Sequence, residues 1–289
     1  MKNIEFMASQ ISKIKIIVCD LDGTLLDRHK RISINTINYL IKLQQNGYIL
    51  VLATGRFFYE LKPYIKQLEM EKYHGYVICC NGREIHDLSN QQVKFFDALN
   101  NDEVSNLITL ALDHKINIRA NYNNSYQMIV NPWIYRIVPL IKLFTRRYPD
   151  LRFYPHNYQV PWNKLGKLAL LSSPQKLVKF ETHVKNNYPG QYQYYYTHRF
   201  CIELVKNSVN KYDAVKYICL KKNLTLANVL AFGDSGNDKK LLEHAGIGIT
   251  MKNGFKPLKQ EARYISFKSN HQEGVLNMLE YIFSNTITL

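Results

Sequence analysis

The sequence lacks the features that mark membrane, secreted and zinc-thiolate proteins. No apolar run approaches the roughly 18 residues of a membrane-spanning helix, because charged or amide side chains interrupt each one. Residues 1–13 lack the apolar core of a signal peptide. The cysteines are odd in number and none forms a C-x-x-C pair: Cys19, Cys79, Cys80, Cys201 and Cys219. These absences predict a cytoplasmic protein that does not cross a membrane and whose thiols are buried.

The chain also lacks a charged tail, although it is strongly basic. Its net charge of +15 divides into +4 over residues 1–82, +7 over 83–210 and +4 over 211–289. Such an even distribution is typical of a solvated surface, so a nucleic-acid partner is the less favoured interpretation. With 289 residues, 46% of them hydrophobic, the composition predicts a globular protein of one large or two moderate domains.

What the sequence does contain is an alternation of strands and helices. Three short apolar runs rich in β-branched side chains are typical of buried parallel strands: residues 15–19, 48–53 and 76–80. Ser33 can cap a helix that ends at Gly47, and residues 57–68 predict a second helix. The same alternation returns after residue 206. This repetition predicts an α/β fold with a Rossmann-like parallel-sheet core.

Between residues 86 and 206 the pattern differs from that of the flanking segments. Alternating strands and two helical stretches accompany an irregular part that is rich in proline. A tight turn at residues 197–199 is predicted to join two of these strands. We therefore predict a discontinuous core of residues 1–85 and 207–289, interrupted by an inserted α+β domain of residues 86–206.

Three groups of polar residues each follow a predicted strand of the core. They are D-L-D-G-T at residues 20–24, T-G-R at 54–56 and G-D-S-G-N-D at 233–238. Because parallel strands end at the same edge of a sheet, the three groups are expected to converge. Carboxylates and asparagine without nearby cysteine or histidine favour a hard cation bound through oxygen, and Mg²⁺ fits best.

Each of these residues taken alone also has a structural explanation. An isolated D-x-D-G is common turn chemistry, since Asp and Gly favour loops. Lys211 alone reads as a surface lysine at a helix start, and Thr54 alone as a residue at a strand end. Only their joint order along the chain raises the functional interpretation above these alternatives.

With these motifs the chain resembles the haloacid dehalogenase-like (HAD) phosphatases, in particular the Cof-like branch with an α/β cap of type IIB. The resemblance covers nearly the whole chain. Its four motifs are DLDGTLLD at residues 20–27, ATGR at 53–56, Lys211 in VNKYDAVKYI, and GDSGND at 233–238. Shorter segments agree with it: CNG at residues 80–82, GIGITMKNG at 246–254 and SNHQEGV at 269–275.

The resemblance implies a division of labour between the two aspartates of the first motif. Asp20 is expected to be the nucleophile that attacks phosphorus and forms an aspartyl-phosphate. Asp22 is expected to protonate the leaving alcohol and later, as a base, to activate the hydrolytic water. A Mg²⁺ ion is expected at the Asp20 carboxylate, the Asp22 backbone carbonyl and Asp234, where it would offset repulsion between nucleophile and substrate.

The other motif residues are expected to hold the phosphoryl group or to support its ligands. Thr54 would donate a hydrogen bond to a phosphoryl oxygen, and Lys211 would neutralise charge during transfer. Asp238 would orient Lys211 or the metal site rather than bind the ion directly. Six residues at these strand ends are the expected substrate-binding set: Thr54, Gly55, Arg56, Asn81, Lys211 and Asn237.

Substrate choice in such a family is expected to depend on the cap, which excludes water when it closes. Five polar-tipped cap residues are candidates, although each is more often structural: Arg119, Tyr122, Trp133, His198 and Arg199. The expected substrates are small phosphate esters, such as sugar phosphates or the cofactors pyridoxal phosphate and flavin mononucleotide. A phosphohexomutase and a phosphate-dependent binding or regulatory protein are the alternatives, and monomer and homodimer both remain open.

Overall fold

A computed structural model gives the fold of the chain. It describes residues 10–97, 99–122, 125–130, 136, 152–155 and 167–284. These residues belong to two compact units, one that runs to Phe96 and resumes at Asn210, and one that spans Asp97–Val209. Each unit has its own sheet and its own hydrophobic core. In the described part of the chain, no helix is long and apolar enough to cross a membrane.

The strands, in chain order, are β1 (Ile16–Cys19), β2 (Ile49–Ala53), β3 (Tyr76–Cys79), β4 (Glu84–Asp87), β5 (Gln92–Phe95), β6 (Asn117–Tyr122), β7 (Ser125–Val130), β8 (Arg152–Pro155), β9 (Leu168–Leu171), β10 (Tyr192–His198), β11 (Cys201–Lys206), β12 (Val229–Gly233), β13 (Ile247–Thr250) and β14 (Tyr264–Ile265). The helices are α1 (Ile34–Gln45), α2 (Phe58–Gln67), α3 (Asn101–Asp113), α4 (Pro174–Asn187), α5 (Lys211–Lys221), α6 (Lys239–His244), α7 (Lys256–Glu261) and α8 (Gly274–Phe283).

The first unit is built on an eight-stranded sheet in the order β14-β13-β12-β1-β2-β3-β4-β5. The six strands from β14 to β3 pair in parallel. Side chains of β1 alternate between two cores: Ile17 packs with α1, α2 and α8, whereas Val18 packs with α5, α6 and α7. Helices therefore cover both faces of a mostly parallel sheet, which confirms the predicted Rossmann-like α/β core.

Local sequence signals explain how the first helix begins and ends. The Ser33 hydroxyl accepts a 3.1 Å hydrogen bond from the backbone N–H of Thr36, as an N-cap residue does. Gly47, with a left-handed φ of 85°, follows the helix and lets the chain turn into β2. The five cysteines are buried free thiols, as predicted.

The antiparallel hairpin β4–β5 was not anticipated from the sequence. β4 pairs with β3, with Ile85 opposite Ile78, and so extends the core sheet beyond residue 85. The first unit accordingly continues to Phe96, eleven residues past the expected end of the first core segment, and resumes at Asn210 rather than at residue 207. The segment EIHD of β4 holds one aliphatic side chain, so its pattern is too weak to predict a strand.

The second unit contains a six-stranded sheet in the order β10-β11-β9-β6-β7-β8, mostly antiparallel. Helices α3 and α4 contribute Leu107 and Phe180 to its core. The unit is thus of the expected α+β type. The turn predicted at residues 197–199 is shifted, because β10 extends through His198, which pairs with Cys201 across a bulge, and the turn lies at Arg199 and Phe200.

Candidate active site

The polar motifs converge at one edge of the eight-stranded sheet. Each follows one of four adjacent strands: Asp20 after β1, Thr54 after β2, Asn81 after β3 and Asp234 after β12. Backbone hydrogen bonds tie these strand ends together. The Asp20 N–H donates to the Phe232 carbonyl, and the Asn81 N–H donates to the Thr54 carbonyl, both at 3.0 Å. The four motif residues thus lie along the carboxyl edge of the sheet, where Asp20, Thr54 and Asn81 are buried.

Lys211 lies fully buried between two carboxylates. Its Nζ donates to Asp20 Oδ1 at 2.7 Å and to Asp238 Oδ1 at 2.6 Å. Burial alone would lower the pKa of the Lys211 ammonium, but the two carboxylates hold it above its usual range. Lys211 is the first residue of α5, where the helix dipole disfavours a cation. Its place is therefore explained by the carboxylates that it pairs with.

Three carboxylates form an acidic cluster around this ammonium group. Asp20, Asp234 and Asp238 each offer an oxygen, and these oxygens lie within 4.8 Å of one another. Burial, followed by the nearby Asp20 and Asp238 charges, raises the pKa of Asp234 to about 8. Burial also raises the pKa of Asp20 to about 6, although Lys211 lowers it. One lysine facing three carboxylates leaves an excess of negative charge.

This excess negative charge and the all-oxygen donor set fit a hard divalent cation such as Mg²⁺. Within the cluster, Asp238 is the residue with both oxygens engaged. Its Oδ1 accepts from Lys211, and its Oδ2 accepts from the backbone N–H groups of Asp234 and Ser235 at 3.0 and 3.1 Å. This pattern favours the expected orienting role of Asp238 and leaves Asp20 and Asp234 as the better carboxylate ligands.

Asp22 is paired with two cations. Arg56 Nε donates to Oδ2 and Arg56 Nη2 to Oδ1, each at 2.6 Å, and Lys30 Nζ donates to Oδ1 at 2.5 Å. Burial alone would raise the pKa of Asp22, but the hydrogen bonds and charges of Arg56 and Lys30 hold it below its usual range. In this arrangement Asp22 is an ionised carboxylate.

The second motif forms the bend after β2. Thr54 is buried, and its hydroxyl oxygen accepts a 3.2 Å bond from the Arg56 backbone N–H. This contact leaves the hydroxyl hydrogen able to donate to a phosphoryl oxygen. Gly55 lies between the two residues in the bend. Arg56 is the bidentate partner of Asp22 in this structure, and its expected contact with substrate stays a prediction.

Two of the expected substrate-binding residues contact each other. Asn237 Nδ2 donates to Asn81 Oδ1 at 2.9 Å, and Asn237 Oδ1 accepts from the Ser235 hydroxyl at 2.6 Å. Asn81 has a left-handed φ of 60°, and the following Gly82 has a φ of 112°. A Cβ at Gly82 would lie 2.2 Å from the Asn210 carbonyl oxygen. The turn after β3 therefore packs directly against the residue that precedes Lys211.

Comparisons with known proteins show the family of the chain. A model of the haloacid dehalogenase-like hydrolases matches residues 17–279, most of the chain. The chain belongs to this family. The HMP-PP phosphatase of Yersinia pseudotuberculosis serotype O:1b is 27% identical over 279 residues, which cover 92% of this chain and 94% of that protein.

Solved structures place this hydrolase in the same fold. A haloacid dehalogenase-like hydrolase from Bacteroides thetaiotaomicron has a TM-score of 0.75 at 27% identity, over 93% of this chain and 100% of the other. SMU.1108c from Streptococcus mutans UA159 has a TM-score of 0.79 at 20% identity, over 94% of this chain and 100% of that chain, a likeness that shows the fold alone. The predicted family and the prediction of an enzyme are confirmed.

Several residues around the site of this hydrolase were not predicted from the sequence. Thr24 donates to Asp234 Oδ1 at 3.4 Å, Asn253 Nδ2 donates to the Gly23 carbonyl at 2.7 Å, and Asn270 Nδ2 donates to the Leu26 carbonyl at 2.8 Å. These contacts hold the loop after β1 in place. Both asparagines lie in segments that resemble the family, GIGITMKNG and SNHQEGV, so the signal was present in the sequence without an assigned role.

The candidates for substrate choice lie in the second unit. Arg119 is a half-buried residue of β6, and Arg199 is exposed in the turn after β10, with its guanidinium carbon 4.5 Å from the Phe200 ring centroid. Tyr122 and His198 are end residues of β6 and β10. Trp133 lies outside the described residues. The role of all five in substrate choice stays a prediction.

Proposed function

We propose that this hydrolase is a Mg²⁺-dependent phosphatase that acts on small phosphorylated metabolites through an aspartyl-phosphate at Asp20. The observation that carries the proposal is the buried contact of Lys211 with Asp20 and Asp238, beside Asp234. Such a contact holds an anionic nucleophile next to a fixed positive charge, as transfer of an anionic group requires. The name of the Yersinia relative, a phosphatase, supports the same reaction class.

In the proposed first step, a carboxylate oxygen of Asp20 attacks phosphorus and the bond from phosphorus to the leaving oxygen breaks. Asp22, ionised while it is paired with Arg56 and Lys30, would first take up a proton from solvent and then give it to that leaving oxygen. The Lys211 ammonium and the Thr54 hydroxyl are placed to stabilise negative charge on the phosphoryl oxygens. Asn81 and Asn237 hold the turns on either side of this space through their mutual hydrogen bond.

In the second step, Asp22 takes a proton from water, which attacks the aspartyl-phosphate and releases inorganic phosphate. Asp20 then returns to its carboxylate form. The Asp20 and Asp234 carboxylates and the Asp22 backbone carbonyl would hold Mg²⁺, which when bound supplies charge neutralisation between nucleophile and substrate. Asp238 would keep Lys211 and the backbone of Asp234 in position.

The first test is phosphate release by the purified protein from a broad panel of phosphorylated metabolites, with and without Mg²⁺. The Asp20→Asn variant is measured beside the wild type, with thermal unfolding to show that it folds. Release that requires both Mg²⁺ and Asp20 is the expected result. Undiminished release by Asp20→Asn would contradict the mechanism. Rearrangement of a hexose phosphate without release would favour the mutase, and inertness towards the whole panel would favour the binding protein.

A further inference from the structure

The contacts of Asp22 are more extensive than a free proton donor needs. Arg56 binds the carboxylate bidentately through Nε and Nη2, both at 2.6 Å, and Lys30 adds a third contact at 2.5 Å. Bidentate charge-assisted hydrogen bonds fix both the place and the plane of a carboxylate. Asp22 also contributes no oxygen to the cluster of Asp20, Asp234 and Asp238. The position of its side chain is thus set by the two cations.

Tyr64 of α2 connects the two cations that bind Asp22. Its hydroxyl donates to the Lys30 backbone carbonyl at 2.9 Å and accepts from Arg56 Nη1 at 3.4 Å. The Arg56 guanidinium carbon also lies 5.8 Å from the centre of the Tyr64 ring. Lys30, Arg56 and Tyr64 come from a loop, a bend and a helix, and together they form a clamp on Asp22.

The clamp conflicts with the proton transfer that the proposed function assigns to Asp22. A proton donor must lie within hydrogen-bond reach of the leaving oxygen and must carry a proton. Here both carboxylate oxygens of Asp22 accept hydrogen bonds from cations. These cations fill three of the about four acceptor positions of the carboxylate, so a proton on Asp22 must compete with them, and loosening the contacts favours its action on a leaving group.

We propose that the clamp of Lys30, Arg56 and Tyr64 holds the Asp22 carboxylate in an inactive state in the resting enzyme. In this proposal Lys30 is a positioning residue that sets the free energy needed to release Asp22. The inference rests on the proposed phosphatase function. Lys30 is the more accessible element of the clamp, with 52% of its side chain exposed against 20% for Arg56. It can therefore be changed with little effect on the folded core.

The release of Asp22 matters most for esters with poor leaving groups. An alkoxide needs a proton as it departs, whereas a nitrophenolate is stable enough to leave without one. Holding Asp22 in the clamp therefore slows hydrolysis of an alcohol ester more than hydrolysis of a nitrophenyl ester. The ratio of kcat/KM for two esters of similar size reports this difference, and any uniform loss of substrate binding cancels in the ratio.

The experiment compares benzyl phosphate with p-nitrophenyl phosphate in the wild type and in Lys30→Gln. The expected result is a rise in the benzyl to nitrophenyl ratio of kcat/KM of about two- to fivefold. This factor corresponds to the interaction free energy of a half-exposed charge pair. Arg28→Gln is the matched control, because it removes the same charge from the same loop, where Arg28 contacts His29 and not Asp22. Its ratio is expected to stay at the wild-type value.

A double-variant cycle shows whether the effect passes through Asp22. In an Asp22→Asn background, Lys30→Gln is expected to leave the ratio unchanged, and Tyr64→Phe alone is expected to raise it less than Lys30→Gln does. An unchanged or lower ratio in Lys30→Gln, an equal rise in Arg28→Gln, or a rise that persists with Asp22→Asn overturns the clamp. If the wild type hydrolyses neither these esters nor any member of the metabolite panel, the proposed function itself fails, and the clamp falls with it.

Discussion

Gly23 and Asp234 pack so closely that a Cβ on Gly23 would lie 2.3 Å from Asp234 Oδ2. Gly23 also has a left-handed φ of 83°, which side chains with a Cβ rarely adopt. Two features therefore favour glycine at this position of the first motif: the left-handed turn and the close approach of the Asp234 carboxylate. The contact couples the loop that carries Asp20 to the loop that carries Asp234.

Replacing Gly23 with alanine is expected to impair Mg²⁺ binding and phosphate release more than folding. The added methyl group must displace the Asp234 carboxylate, a proposed ligand. Gly47→Ala is the matched control, because Gly47 has a similar φ of 85° but nothing within 4 Å of its added Cβ. We expect Gly47→Ala to lose about 1–2 kcal/mol of stability from backbone strain alone, with activity intact.

Thermal unfolding with increasing Mg²⁺ distinguishes impaired Mg²⁺ binding, expected in Gly23→Ala, from backbone strain alone, expected in Gly47→Ala. The wild type and Gly47→Ala should gain thermal stability from Mg²⁺, since a ligand that binds the folded state stabilises it. Gly23→Ala should gain little. An equal gain in both variants would show that Asp234 tolerates the displacement or does not bind the ion.

Replacing Lys211 with methionine is expected to abolish phosphate release and to destabilise the metal-free protein. Removing one partner of a buried ion pair leaves the other charge uncompensated, at a cost of about 3–5 kcal/mol. Here Asp20 and Asp238 would both lose their cation. Urea unfolding measures the change, and Lys216→Met, an exposed site on the same helix, is the control. Equal stability of the two variants would contradict the buried pairing.

The sequence was sufficient to predict the parallel core and the convergence of Asp20, Thr54, Asp234 and Lys211. The reason is that each of the first three directly follows a buried strand, and parallel strands end at one edge. Lys211 could be placed only through the order of motifs, since its burial between two carboxylates leaves no local trace in the sequence. The pattern of apolar side chains thus predicted the parallel sheet, and the order of the motifs predicted which residues form the candidate site.

The contacts of Lys30 and Tyr64 could not be predicted in the same way. Lys30 lies in a loop without hydrophobic periodicity, eight residues after its partner Asp22, and Tyr64 lies within a helix face that reads as core. Side-chain pairings between a loop and a helix depend on tertiary packing, which periodicity does not report. The same limit explains the hairpin β4–β5, where the pairing of β4 with β3 fixes a segment of weak local signal.

The stability of the metal-free protein is expected to fall as the pH rises from about 4 to about 8, between the ordinary pKa of a carboxyl group, 3.8, and the raised pKa of Asp234. A carboxyl whose pKa is raised on folding binds its proton more tightly in the folded state, so its contribution to stability is full below the unfolded pKa and has been lost once the pH passes the folded pKa. Thermal unfolding in chelator across this range measures the effect. Asp234→Asn should flatten the dependence, and an equally steep fall in that variant would assign it to other groups.

Calcium is expected to bind at the acidic cluster but to support little phosphate release. Asp20 is fixed by Lys211 and Asp234 is packed against Gly23, so the ligands have little room to move apart. Ca²⁺ prefers six to eight oxygen ligands at about 2.3–2.6 Å, against six at about 2.0–2.1 Å for Mg²⁺. Ca²⁺ should therefore raise the temperature of thermal unfolding, as Mg²⁺ does, but support little phosphate release. Both quantities are measured with each ion. Turnover with Ca²⁺ that equals turnover with Mg²⁺ would show that the site does not constrain its ion as these contacts indicate.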